Sequence, residues 1–173
     1  MSITINQASL ETYKQILPAA LQIFKKAKSH FEETGINQEE IVQARLYEDM
    51  APFSFQVFSI VHHSVGALNA LKSGEFGPPN MPENLDFAAL QSLLENAEHD
   101  INNFPANDIN ACSEKEVVFK MGSIKWPFSS ENFILSFSLP NFYFHVTTMY
   151  DMLRMRGVPV GKLDFIGKMH LKI

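Results

Sequence analysis

The chain has 173 residues, 46% of them hydrophobic, and a formal net charge of −5. That length suits one domain, spanning residues 1–173, with a sizeable core. The acidic balance argues against a nucleic-acid footprint, which wants a basic face, and no run of about 18 apolar residues exists to cross a membrane.

Charge is unevenly placed. From Glu75 to Glu114 there are acids but no Lys or Arg, whereas Arg154 to Lys172 holds five basic residues against Asp164 alone. Opposite-sign halves of one small domain suit contact with each other or with a symmetry mate. The single cysteine, Cys112, excludes an internal disulfide and agrees with a reducing compartment. The N-terminal stretch MSITINQASLETYKQ lacks a basic segment followed by an apolar run, so it does not read as a signal peptide. A cytoplasmic protein is expected.

Leu10, Tyr13, Leu17, Phe24 and Phe31 recur on one helical stripe, with Lys14, Lys25, Lys26 and Lys28 largely off it. Pro18 lies inside this segment and should bend it, and Gly35 should stop it. Asn37 can cap a short helix near residues 38–44. A second long helix is predicted from Pro52 to about Lys72, with Phe53, Val57, Ile60, Val61, Leu68 and Leu71 inward. The stretch SGEFGPPNMPEN is dense in Gly and Pro and reads as a loop. A third helix follows Asn84, turning Phe87, Leu90, Leu94, Ile101 and Phe104 inward.

In EVVFKMGSIKWPF the period changes, and Gly122-Ser123 reads as the turn of a β-hairpin. The last long helix is predicted from about Pro140 to Gly157, with Phe142, Val146, Met149 and Leu153 as its stripe. Phe144, Met152 and Met155 project away from that stripe, which suggests a second covered side and a homodimer. The whole pattern predicts a mainly α fold, an up-down four-helix bundle with a short extra helix and a small hairpin before the last helix.

His145 falls at the edge of the last helix's stripe, where a pocket lip would lie. Its i+4 neighbour is Met149, so no His-x-x-x-His pair is present. A borderline divalent ion prefers imidazole, thiolate or carboxylate to thioether. The adjacent His62 and His63 point about 100° apart on a regular helix. His62 continues the face of Phe55 and Phe58, and His63 that of Gln56 and Ser59, so one should reach the interior and the other the surface. Taken singly, each of these histidines reads first as structural, His145 as a boundary residue hydrogen-bonded to backbone, and only second as part of a site. Tyr150, Asp151 and Arg154 form a small polar cluster on the last helix. Nothing near Cys112 activates it as a nucleophile. No phosphate-cradling glycine loop or nucleophile elbow occurs.

The segments ARLYEDMAPFSFQV, LPNFYFHVTTMYDMLR and GVPVGKLDFIG resemble the uncharacterised DUF1993 family, which is similar to the wider DinB/YfiT-like superfamily of four-helix bundles. The resemblance covers nearly the whole chain, with PNFYFHVTT as its most specific part. It implies a bundle, frequent dimerisation and no assigned activity. In the wider superfamily one histidine of the second helix and a His-x-x-x-His pair of the last helix hold a divalent metal, and some members are thiol-dependent transferases or hydrolases. Carried over, His62 or His63 matches the first ligand and His145 the second, while Met149 stands at the third.

The first expectation is therefore a binding protein with no metal and no cofactor, whose pocket at the bundle mouth draws on His145, His62, His63, Tyr150 and Met149 to hold a small molecule. The alternatives are an enzyme related to metal-dependent thiol transferases or hydrolases, and a non-catalytic dimeric interaction protein.

Overall fold

The fold is given by a computed structural model, which describes residues 3–172. A capping box of Thr4 and Gln7 starts α1 (Ile5–Ala8). Next comes α2 (Leu10–Thr34), which passes through Pro18 and stops where Gly35 turns left-handed at φ 70°. Asn37 Oδ1 accepts the amide of Glu39 at 3.1 Å and opens α3 (Glu39–Val42). Behind Pro52, α4 (Phe53–Val61) runs through one π-helical turn, His62–Gly66, into α5 (Ala67–Ser73).

A two-residue strand, β1 (Glu75–Phe76), follows, then α6 (Phe87–Asn103), capped by the Asp86 side chain, and α7 (Ala106–Asn110). The hairpin of β2 (Glu116–Met121) and β3 (Ile124–Ser129) turns at Gly122-Ser123 as predicted. β1 lies parallel to β2, pairing Phe76 with Phe119. The last long helix comprises α8 (Ser130–Asn132), a second π segment, Phe133–Ser138, and α9 (Leu139–Met155). α10 (Lys162–Ile166) docks back on α2, where Gln15 Nε2 donates to the Ile166 carbonyl.

Four helices form the bundle. α2 adjoins α6 and α9, and α4 adjoins the same two, so α2 and α4 face each other across the diagonal. Phe24 of α2 meets Phe53 at the start of α4 and Phe87 at the start of α6. Tyr13, early in α2, meets Phe142, early in α9. The helices therefore run up, down, down and up. The parallel α4–α6 pair explains the long crossover between them, because parallel neighbours cannot share a short turn.

Three local expectations are corrected. The last helix begins at Ser130, ten residues before Pro140. The π segment has already departed from the regular i→i−4 ladder there, so the missing proline N–H interrupts little. The Gly- and Pro-rich stretch after Ser73 contains β1, held by the pairing above and by a Glu75–Lys120 ion pair. Met152 is buried, whereas Phe144 and Met155 stay 54% and 73% exposed, so the second apolar side of α9 is narrower than its sequence suggests.

Candidate functional site

The two π segments face each other. A π turn adds a residue to one helical turn and shifts the side chains that follow, and such turns are frequent at functional sites. Here one carries His62 and His63, while the other immediately precedes the helix that carries Asn141 and His145. Ser138 Oγ donates to the His63 carbonyl at 2.9 Å and thereby ties the segments together. That hydroxyl has one proton, so Tyr13 must donate to Ser138 Oγ across their 3.2 Å contact. Complete burial pushes the Tyr13 phenol pKa upward, which keeps that proton in place.

Between α4 and α9 lies a cavity of about 230 Å³. Its walls are His62, His63 and His145, the rings of Phe55, Phe76, Phe119 and Phe137, and Ser59 and Asn141, with Gly77, Pro78 and Pro79 along one edge. No charged side chain lines it. The His63 and His145 rings lie nearly parallel, centroids 6.0 Å apart, and His62 stands edge-on to His63 at 5.2 Å.

Each imidazole is held differently. His62 Nε2 donates to the Gly77 carbonyl at 2.9 Å, pinning the loop that edges the cavity. His145 Nδ1 donates to Gln56 Oε1 at 2.8 Å, and Gln56 Nε2 donates to the Ala51 carbonyl at 2.9 Å. His63 is 6% exposed, and its Nδ1 is sealed without a hydrogen-bond partner among the described residues. Burial holds all three below the ordinary histidine pKa. His145 falls to about 4, with the His62 imidazole contributing, and His63 to about 3, helped by His62 and His145. At neutral pH the three rings are therefore uncharged.

The structure thus brings His62, His63 and His145 to one cavity. Of the adjacent pair, His63 is buried and His62 half-buried, and both rings line the cavity. The helix makes a π turn at this point, and the cavity is broad enough to touch both rings. Met149 and Tyr150 go elsewhere. Met149 is fully buried in the core and does not reach the cavity, while Tyr150 packs edge-on against Phe165. Gln56, Ser59, Phe76, Phe137 and Asn141 were not expected at the site. The sequence signal available for two of them was the spacing of Gln56, Ser59 and His63, three polar residues on one side of an otherwise apolar helix.

The residues present do not fit a tightly held divalent ion. A zinc-type site needs three protein ligands around an open position. Met149, which stands at the position of a third ligand, is sealed in the core, and no carboxylate lines the cavity. Among the described residues no three His, Cys, Asp or Glu side chains are grouped to hold one ion.

These features define a class: a helical bundle with a neutral, histidine- and phenylalanine-lined cavity in the seam between its second and last long helices. A crystal structure of a DinB family member from Shewanella denitrificans shares the fold, with a TM-score of 0.81 and 21% identity over 97% of this chain and 94% of that one. The family described as Domain of unknown function (DUF1993) matches residues 5–166, and the chain belongs to it. No curated protein matches the sequence. Among the described residues no helix is long and apolar enough to cross a membrane.

Proposed function

We propose that this protein binds a small, neutral, partly aromatic molecule in the cavity between α4 and α9. The observation that carries the proposal is a cavity walled by three neutral imidazoles and four phenylalanine rings, with the sealed, unpartnered Nδ1 of His63 behind its wall. A buried polar atom without a partner costs about 1–3 kcal/mol, so such an atom calls for an explanation. A site kept polar at that cost, yet free of charge, suits an uncharged ligand that stacks on rings and hydrogen-bonds to nitrogen.

A thermal-shift screen of neutral aromatic fragments tests this directly. Ligand at about 100 times its Kd should add about 2.7 kcal/mol of stability. The shift should vanish in His145→Ala. Hits that stabilise wild type and His145→Ala equally, or no hits at millimolar concentration, overturn the proposal.

The protein is also proposed to be a homodimer through the outer face of α9. Tyr143, Phe144 and Met155 leave large apolar side chains in solvent there, beside the half-buried Leu46. Sedimentation equilibrium showing only monomer at tens of micromolar, roughly the range for interfaces of standard size, overturns it. The lone cysteine, buried as a free thiol, supports a reducing cytoplasmic setting.

A further inference from the structure

We infer that Gln56 is a positioning residue: it holds His145 in the tautomer protonated on Nδ1, which leaves a bare Nε2 lone pair for the cavity. The consequence for ligand choice rests on the binding role proposed above, whereas the tautomer is a property of the free chain.

The chain of cause starts at Ala51-Pro52. A residue before proline is restricted to extended backbone, which fixes where the Ala51 carbonyl points. That carbonyl only accepts, so Gln56 must turn its NH2 toward it, across 2.9 Å. Flipping the amide would set Oε1 against the Ala51 oxygen, two acceptors in contact. The side chain is 1% exposed, so water offers no escape. Oε1 therefore faces His145 Nδ1 at 2.8 Å, and as an acceptor it requires the proton to sit on that nitrogen.

A neutral imidazole has one proton, so Nε2 has none. The groups around the ring are His63, Phe55 and Phe144, with His62 beyond, and none supplies a negative charge to hold a second proton. Nε2 has no hydrogen bond to any described residue, and it is not among the sealed atoms that lack partners. Its residual surface belongs to the cavity that His145 lines. A ligand meeting this nitrogen must bring an N–H or O–H. One that offers only acceptors sets lone pair against lone pair.

Long-range proton–nitrogen correlation spectra of histidine-labelled protein at pH 7 decide the tautomer, with His145→Gln identifying the signal. Wild type should show a pyrrole-type Nδ1 and a pyridine-type Nε2. Gln56→Met, of similar length and without the acceptor, should release the ring to a mixture or to the opposite tautomer. A pyridine-type Nδ1 in wild type overturns the inference, even if the variant does not fold. An unchanged tautomer in a folded Gln56→Met protein overturns it as well.

Indole and benzofuran, two bicycles of nearly one size, report the consequence by calorimetry. Indole should bind wild type at least about tenfold more tightly, and Gln56→Met should erase the preference. Equal binding of both to wild type overturns the donor requirement. If neither binds while the tautomer is as assigned, the proposed binding role fails and the positioning role of Gln56 stands.

Discussion

The seam between α2 and α6 and the seam between α4 and α9 belong to one bundle but are built of opposite materials. Along the first, Phe24 stacks on Phe87 with centroids 4.3 Å apart, and Phe31 meets Phe87 edge-on, all sealed from solvent. Along the second, Gln56, Ser59, His63, Ser138 and His145 are also buried, but they are polar. The helices of the first seam are regular, while both π segments lie in the helices of the second. Rings that fill space supply stability without directionality. Polar groups that need partners supply directionality at some cost in stability. The contrast teaches that one side of the bundle secures the fold, which leaves the other free to hold a chemically demanding site.

The largest expected effect falls on the apolar seam. Phe24→Ala should cost about 3–5 kcal/mol in urea unfolding, because it removes a ring that touches both Phe53 and Phe87. His63→Leu, across the bundle, should be neutral or stabilising by about 1 kcal/mol at pH 7, since it removes a sealed nitrogen that has no partner. A loss at His63 as large as that at Phe24 would break the comparison and make the polar seam structural.

Acid sharpens the same contrast. Unfolded His63 takes up a proton near pH 6.5, whereas burial, with the neighbouring His62 and His145 imidazoles, holds its folded pKa down to about 3. Between those values the unfolded chain binds the extra proton, so stability is full above pH 6.5 and falls as pH drops. The slope is about 1.4 kcal/mol per pH unit for this one group. At pH 5 the wild type should therefore have lost about 2 kcal/mol more than His63→Leu, relative to pH 7. Parallel pH profiles for the two proteins would show that His63 is not held neutral in the fold.

Ser138 comes next in size. Its hydroxyl donates to the His63 carbonyl and accepts from Tyr13, so Ser138→Ala leaves two buried groups short of a partner. The expected cost is about 1–3 kcal/mol. In a double-mutant cycle with Tyr13→Phe the two losses should be less than additive by about 0.5 kcal/mol or more, since both changes remove one shared bond. Strict additivity would mean that Tyr13 and Ser138 share no bond between α2 and the second π segment.

The apolar seam was far easier to read from sequence than the polar one. Leu10, Tyr13, Leu17, Phe24 and Phe31 keep helical spacing, and every one of them is buried where that spacing places it. Gly35 and Gly157, with φ of 70° and 83°, mark true helix ends because few other residues tolerate that backbone. The π segments escaped because a 3.6-residue period is assumed in finding helices at all. ENFILSFSLP breaks that period, and its Pro140 then looked like a beginning. β1 escaped because its two residues pair with β2, about forty residues further on, a non-local contact with no local signature. At the site the residue types were visible and their arrangement was not. Gln56 acts on His145 only because α9 returns beside α4, so its role follows from tertiary structure rather than from its neighbours in sequence.

The smallest expected effect on stability lies just outside the polar seam, at Phe144. Its ring touches His145 edge-on at 5.3 Å, yet just over half of its surface faces solvent. Phe144→Ser should change the stability of the monomer by no more than about 0.5 kcal/mol, as for most surface substitutions. Assembly should respond differently. Aromatic residues near the centre of an interface commonly contribute 2 kcal/mol or more to association, which corresponds to about thirtyfold or more in the dimer dissociation constant. Unfolding at a concentration well below that constant isolates the monomer term, and sedimentation equilibrium over a range of concentrations isolates the association term. If Phe144→Ser weakens the dimer and leaves indole binding unchanged, the interface and the cavity are independent surfaces on opposite sides of His145. If it changes both, the partner helix presses on the His145 ring, and the polar seam is completed by a second copy of the chain. If it changes neither, the outer face of α9 is ordinary protein surface and the proposed dimer does not form there.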